Sequence, residues 1–509
     1  LRLSLFLLSL SVAALASAAE HKLAPGKTLS LSEDLVLSGD DTLAFIGTAD
    51  EPCKIVGEGH QIRTAENWRG TFTMQHCRCE GLGKDTFKPE FHAINIRAAG
   101  EAKVTIEHCV FDACAGISVN NGGQSTTAFR YNRVLESSIV PVKKDLGDSR
   151  ESFVARGNSP AQKYFQGNLI LRAHCEFDSP KWLIGGDSDK ESNILIGLRI
   201  KILCRGDTSV IRGNYLHVLM PRNAEYPYWS QVSTLDPHGN LAEHNIIRDG
   251  EWIVQFVSGE FRYNVVCDIN DHNLLRNGSI GKVHHNLFHV GKPDHPPGSM
   301  SAFIYIVYAA KNPGEGMEIY NNTFDGCGIF DPPGVEVCEK GFVKSLRNNA
   351  FCNMRLPKYF TLPPAVVRPS WQEKEVSDPD RLGYADYNLF HNPDAKNPKH
   401  YTLSVAGKTQ RKDAGFALND VPKAGEIDAE ADPKFAAKSP KEFPFTDAEI
   451  ITGKVTVSEM LAHFRKLYTP GKDSPLIDAG DPADGPGVDI GAIGAGKEDK
   501  QDRFGKFAE

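Results

Sequence analysis

Short apolar runs separated by polar corners repeat along this chain, and the polar residue that opens each run is most often asparagine. The phrase stands as HCVF at Cys109, YNRVL at Asn132, GNLIL at Asn168, SNILI at Asn193, GNYL at Asn214 and HNII at Asn245. It continues as YNVV at Asn264, HNLF at Asn286, NNTF at Asn322, NNAF at Asn349 and YNLF at Asn388. The runs are rich in Val, Ile, Leu and Phe and are bounded by Gly, Asn and Asp, which predicts strands and turns rather than helices. Spacings of 19 to 27 residues fit one coil of a solenoid, and the longer ones, up to 39, fit a coil plus a loop. One such coil cannot bury its apolar side by itself, so coils must stack with strands about 4.8 Å apart. Asn suits a tight corner because it tolerates the left-handed conformation, and stacked amides can bond one another up a column.

This ladder, with the ending SPLIDAGDPADGPGVDIGAIGAG at 474–496, resembles the right-handed parallel β-helix proteins of the pectate-lyase-like superfamily. The resemblance covers residues 25–495 and implies an all-β solenoid. The expected organisation is a β-helix over 19–354, an irregular excursion over 355–385, final coils with a helical cap over 386–496, and a charged tail over 497–509. The cap is predicted from Thr456-Val457-Ser458-Glu459, a capping-box pattern before MLAHFRKLY. A short helix there is expected to cover the open end of the stack.

Residues 1–18 carry Arg2, an apolar run from Leu3 and the small residues Ala16-Ser17-Ala18, the pattern of a secretory signal peptide. Export to the periplasm or the extracellular space is therefore expected, with a mature chain starting near Ala19. No later run reaches membrane-spanning length. A net charge of −8 over 509 residues argues against a general nucleic-acid or membrane-surface binder. Eleven cysteines cannot all pair internally, and buried free thiols are the first expectation, ahead of one or two disulfides or a metal site. A monomer without an organic cofactor is expected. No GxSxG, HExxH, Walker A or dinucleotide fingerprint stands in a suitable context.

Candidate chemistry concentrates where the intervals lengthen. Insertions at 137–152, 219–230 and 291–301 should leave the same corner of the stack, so two tall loops flank the short coils at Asn245 and Asn264 and form a trough. The corner after the ladder and the next strand would line it with Arg248, Asp249, Glu251, Gln255, Asp268, Asp271, His272 and Arg276, with Asp236 and His238 nearby. Residues 217–295 hold 8 of the 17 histidines, of which His244, His284 and His285 adjoin ladder asparagines and read first as corner packing. Asp249 and Asp268 occupy equivalent positions on successive coils. Two carboxylates that close invite a cation or a shared proton, and turn capping is the equally weighted alternative. Asp187 and Asp189, and the acidic 478–489 stretch, read as turn chemistry before calcium binding.

Three functions fit these residues. For a polysaccharide lyase acting on a uronate, the resemblance implies an Arg or Lys base and often calcium on the substrate acid. Arg276 would be that base, His238 or His272 would transfer protons, and Asp249, Asp268 and Asp271 would hold calcium. Arg222, Tyr226, Tyr228, Trp229, Asp236, Arg248 and Gln255 would bind the polysaccharide. The motifs around the catalytic Arg of pectate lyases, and the Lys/Arg signature of the alginate and chondroitin lyases, are not found in this chain. A glycoside hydrolase would instead use two of Asp236, Asp249 and Asp268. A non-catalytic surface glycan binder is the third reading.

Overall fold

The computed structural model describes residues 18–84, 89–135, 152–171, 175–197, 202–204, 208–218, 235–236, 241–249, 254–255, 259–267, 275–276, 281–289, 304–306, 316–326, 335–337, 343–353, 367–369, 382–393, 402–404, 418–420, 425–440 and 442–495. Their strands form three parallel sheets of 14, 15 and 13 strands, here sheets I, II and III, in which every third strand of the chain lies next to the last. That order is a right-handed parallel β-helix of pectate-lyase-like architecture, as the ladder predicts. Each coil runs through sheet I, turns at a ladder residue into sheet II, and returns through sheet III.

Alternation fills the interior. In the sheet I strand Thr126–Arg130, Thr127 and Phe129 are buried while their neighbours stay partly exposed. In sheet II a column of phenylalanines runs through Phe288, Phe324, Phe351 and Phe390, with rings stacked 4.7 to 5.4 Å apart. Thirteen or more rungs per sheet give this core its length, since one coil alone has nothing to pack against.

The asparagine ladder is continuous. Each side-chain amide from Asn132 to Asn349 donates from Nδ2 to Oδ1 of the next, at 2.8 to 3.3 Å, and the column ends on Asn388. Beyond it, the Asn388 backbone amide donates to Asp428. At the other end Cys53, Cys77 and Cys109 take the ladder position, and the Cys109 amide donates to Asn132 Oδ1. The left-handed corner is not the asparagine itself, as the sequence suggested, but the residue before it. Tyr131, His244, Tyr263, His285, Asn321, Asn348 and Tyr387 have φ between 50° and 57°. This division frees the asparagine to point inward, where it is fully buried.

Two helices follow the last rung, α1 (Asp447–Ile451) and α2 (Val457–Tyr468), and both start with capping boxes, at Thr446 and Thr456. The helical cap thus exists, but its seat differs from the expected one. Met460, Leu461, Phe464 and Tyr468 pack with Ile196, Ile246, Val265 and Leu287 on the outer face of sheet II. The cap therefore lies along the flank of the stack, not over its end. The 474–496 stretch adds no rung either. It straps the corner between sheets I and II, where Asp484 takes a two-pronged pair from Arg347 at 2.7 and 2.8 Å. Inside the expected excursion, Val367–Pro369 is a regular rung of sheet III.

All eight cysteines with described side chains are buried, and Cys53, Cys77, Cys79, Cys109, Cys114, Cys175 and Cys352 are free thiols. Burial pushes the Cys114 thiol up to about 12, which removes the thiolate that oxidation and metal binding require. Among the described residues, no helix is long and apolar enough to cross a membrane.

Candidate functional site on sheet III

The strands of sheet III alternate between two registers. One is apolar and inward: Ile94, Ile117, Phe153 and Cys175 are buried, and pairing carries the column on through Ile202, Leu235, Val254, Leu275, Ile304 and Val335. The neighbouring register carries polar groups. It runs from Val36 and Arg63 through Asn95, Ser118, the buried Val154, Glu176 and Leu203 to Asp236. Leu235 pairs with Val254, which sets Asp236 beside Gln255. Gln255 pairs with Arg276, Arg276 with Tyr305, and Tyr305 with Glu336. A carboxyl, an amide, a guanidinium, a phenol and a second carboxyl therefore occupy successive rungs, about 4.8 Å apart along the backbone. Asp236, Gln255 and Arg276 were selected from separate stretches of sequence, and the register brings them together. Tyr305 and Glu336 were missed.

Arg248 and Asp249 were expected beside them and stand elsewhere. Both lie where the chain leaves sheet II, under the C-terminal cap. Arg248 stacks over the Phe443 ring at 4.5 Å and sets Nε 3.2 Å from Asp249 Oδ2, so the cap covers the guanidinium assigned to substrate. The Asp249 carboxylate is buried against His217 Nε2 at 2.9 Å, while His217 Nδ1 meets Asp447 Oδ1 at 2.7 Å. The Tyr215 hydroxyl also donates to Asp447, at 2.9 Å. Both ring nitrogens of His217 face carboxylates, which suits the imidazolium, with an N–H on each side. Burial opposes that charge, but the bonds to Asp249 and Asp447 outweigh it and raise the His217 pKa. Asp447 is lowered: burial works against its charge, and His217 and Tyr215 overcome it. With its carboxylate engaged this way, Asp249 does not fit the calcium site proposed for it. Among the described residues, no group of three or more His, Cys, Asp or Glu stands close enough to hold a metal.

Apart from His217, the described histidines of the rich segment stack on tyrosines or bond neighbouring side chains. His244 stacks on Tyr263 at 5.2 Å, His284 on Tyr320 at 4.6 Å, and His289 bonds the Tyr468 hydroxyl of α2 at 2.8 Å. Asp189 accepts from the backbone amide of Ser458 at the start of α2, and Asp187 pairs with Arg212. Asp481 accepts from the Ala483 amide, and Asp489 from the amides of Asp478 and Ala495, so both acidic stretches do turn and docking work. Arg222, Tyr226, Tyr228, Trp229, His238, Glu251, Asp268, Asp271 and His272 lie outside the described residues, as do the three insertions except Ser152. For Asp236, Gln255 and Arg276 the structure describes the backbone register.

No protein-family profile matches the chain, and no curated protein matches it. Several solved structures do. A mannuronic acid specific polysaccharide family 6 lyase from human gut microbiota is 13% identical, over 74% of this chain and 87% of that one, with a TM-score of 0.25. A PL6 family polysaccharide lyase from Pseudopedobacter saltans is 9% identical, over 81% and 92%, with a TM-score of 0.27. The PL6 family alginate lyase AlyGC is 13% identical over 83% of this chain, which spans 52% of that structure, with a TM-score of 0.27.

Proposed function

We propose that this chain is an exported polysaccharide lyase that cleaves a uronate-containing polymer by β-elimination across the rungs of Asp236, Gln255, Arg276 and Tyr305. The observation that carries this reading is the shared register of these residues on one face of sheet III. β-Elimination needs three things at one sugar. The uronate carboxylate must be neutralised, the proton alpha to it removed, and the departing glycosidic oxygen protonated. The C–H electron pair becomes the C4=C5 double bond as the C4–O bond breaks.

A guanidinium suits the first task, because it stays charged and grips a carboxylate through two parallel bonds. The family resemblance gives Arg276 the base role, which demands a strongly desolvated guanidinium. Tyr305, one rung on, offers a phenol that can both accept and donate a proton. His238 and His272 are the remaining candidates for proton transfer, and Arg222, Tyr226, Tyr228 and Trp229 for holding sugar rings. Calcium, where bound, would neutralise the substrate acid. With Asp249 engaged by His217, Asp268 and Asp271 remain its candidate ligands.

The hydrolase reading has fewer groups to draw on. Of its three candidate carboxylates, Asp249 is engaged by His217, which leaves it Asp236 and Asp268. A panel of uronate-containing and neutral polysaccharides, with and without a calcium chelator, tests the proposal. Absorbance from an unsaturated uronate is the expected result. New reducing ends without that absorbance would establish the hydrolase, and retention on glycan without cleavage the binder. Loss of the absorbance on chelation would assign calcium a part.

A further inference from the structure

The outer face of sheet III is also concave far from those rungs. Over the strands Ile94–Ala98, Ile117–Asn121 and Phe153–Gly157 lies a groove of about 630 Å³, ample for several linked sugars. Its floor carries Asn95 and Ser118 in one column and Arg97, Asn120 and Arg156 in the next. Glu66 and Glu90 stand in its walls. Glycine keeps the rim open at residue 123, where φ is +59° and a Cβ would lie 2.7 Å from the Gly100 backbone. The only carbon surface among the lining side chains, beyond polar stems, is that of Ala98 and Ala99. Hydroxyl and carboxylate groups meet amides, carboxylates and guanidinium forks here.

We propose that this groove is a distal binding site for the same acidic polysaccharide, taking uronate carboxylates on Arg97 and Arg156. The choice of uronate rests on the lyase reading above. The two arginines share a register two rungs apart, about 10 Å along the stack. That spacing suits an extended polyuronate laid along the axis, whose alternate carboxylates face one side. The existing partners are exchangeable. Arg97 pairs with Glu66 at 2.7 Å, but the two side chains are 49% and 77% exposed, and such pairs contribute little. Arg156 reaches Glu176 only at 3.9 Å. Glu66 and Glu90 repel carboxylates and accept from sugar hydroxyls, which fixes the side of the chain that turns toward the arginines.

The groove shares its face with the proposed catalytic rungs. Ser118 and Arg276 belong to one register column, six rungs and roughly 29 Å apart. A polymer long enough to span that distance engages both places at once and is retained by the second contact.

Titration calorimetry of the full chain with oligogalacturonates and oligomannuronates of graded length tests the proposal. The Arg97→Ala/Arg156→Ala variant should lose affinity roughly tenfold per guanidinium. Asn120→Asp, an exposed single-atom-scale change that sets a repelling charge between the arginines, should weaken binding in the same direction. Unchanged affinity in both variants, or no binding by the unmodified chain, overturns the groove. The unsaturated-uronate absorbance is read in parallel. Cleavage with unchanged affinity in the variants leaves the lyase and sinks the groove. Groove-dependent binding without cleavage leaves the groove and sinks the lyase.

Discussion

Asn264 shows how much a single side chain does in this fold. Its Nδ2 donates to Ala242 O at 3.0 Å, Arg262 O at 2.8 Å and Asn286 Oδ1 at 3.0 Å, while its Oδ1 accepts from the backbone and side chain of Asn245. Asn264→Leu keeps the branched outline but leaves buried donors and acceptors unmatched on three coils. The expected cost is at least about 3 kcal/mol, read as a lowered urea midpoint. The ladder was legible because one residue type repeats in phase. Its inward direction was not, because the left-handed corner falls on whatever precedes it, and histidine, tyrosine and asparagine all serve there. His217 carries a pH signature at the same scale. Its pKa is raised in the folded state, so its contribution is complete below the unfolded value of about 6.5 and is lost as pH rises through the folded value. Asp447 is lowered, so its contribution is present above about 3.9 and is lost as pH falls through the folded value. The protection factors of the α1 amides, exchange corrected for its intrinsic base catalysis, should therefore be highest between those limits and should fall on the alkaline side. A protection factor unchanged across that alkaline rise would contradict the ion triad.

The elements divide into rungs, which the chain repeats, and a cap, which it adds once. The capping box at Thr456 was readable, and so was an apolar stripe on the helix. The surface receiving that stripe was not, because a helix sequence states that it needs an apolar partner without naming one. Sheet II supplies it through outward Ile196, Ile246, Val265 and Leu287, positions where a solvated sheet would be polar. Phe464→Ala removes a fully buried ring from this seam and should cost about 3 to 5 kcal/mol locally. If the cap opens as a unit of its own, limited proteolysis of Phe464→Ala should cut within 442–468 first while the β-helix core stays intact. Simultaneous loss of cap and rungs would show one cooperative unit instead.

At the scale of the whole molecule, stacking converts distance in sequence into adjacency on a face. Ten residues separate Asn245 from Gln255 and twelve separate Asn264 from Arg276, but nineteen separate Asn286 from Tyr305. Insertions of unequal length break the count, so Tyr305 could not be placed on the Arg276 column from spacing. The apolar alternation Ile304-Tyr305-Ile306 was the available sign. Conversely, Arg248 and Asp249 looked equivalent to trough residues because nothing in their own stretch announces a cap arriving from residues 443–468. The face of sheet III therefore carries both the proposed catalytic rungs and, at another place, the groove proposed for uronates. The most direct test is the rate at which unsaturated uronate forms from a polyuronate, compared among the unmodified chain, Arg276→Ala and Tyr305→Phe. Steady formation by the unmodified chain is expected, and its loss by a factor of at least about 100 in both folded variants. Full activity in both variants, or no unsaturated product from any uronate polymer, would contradict it.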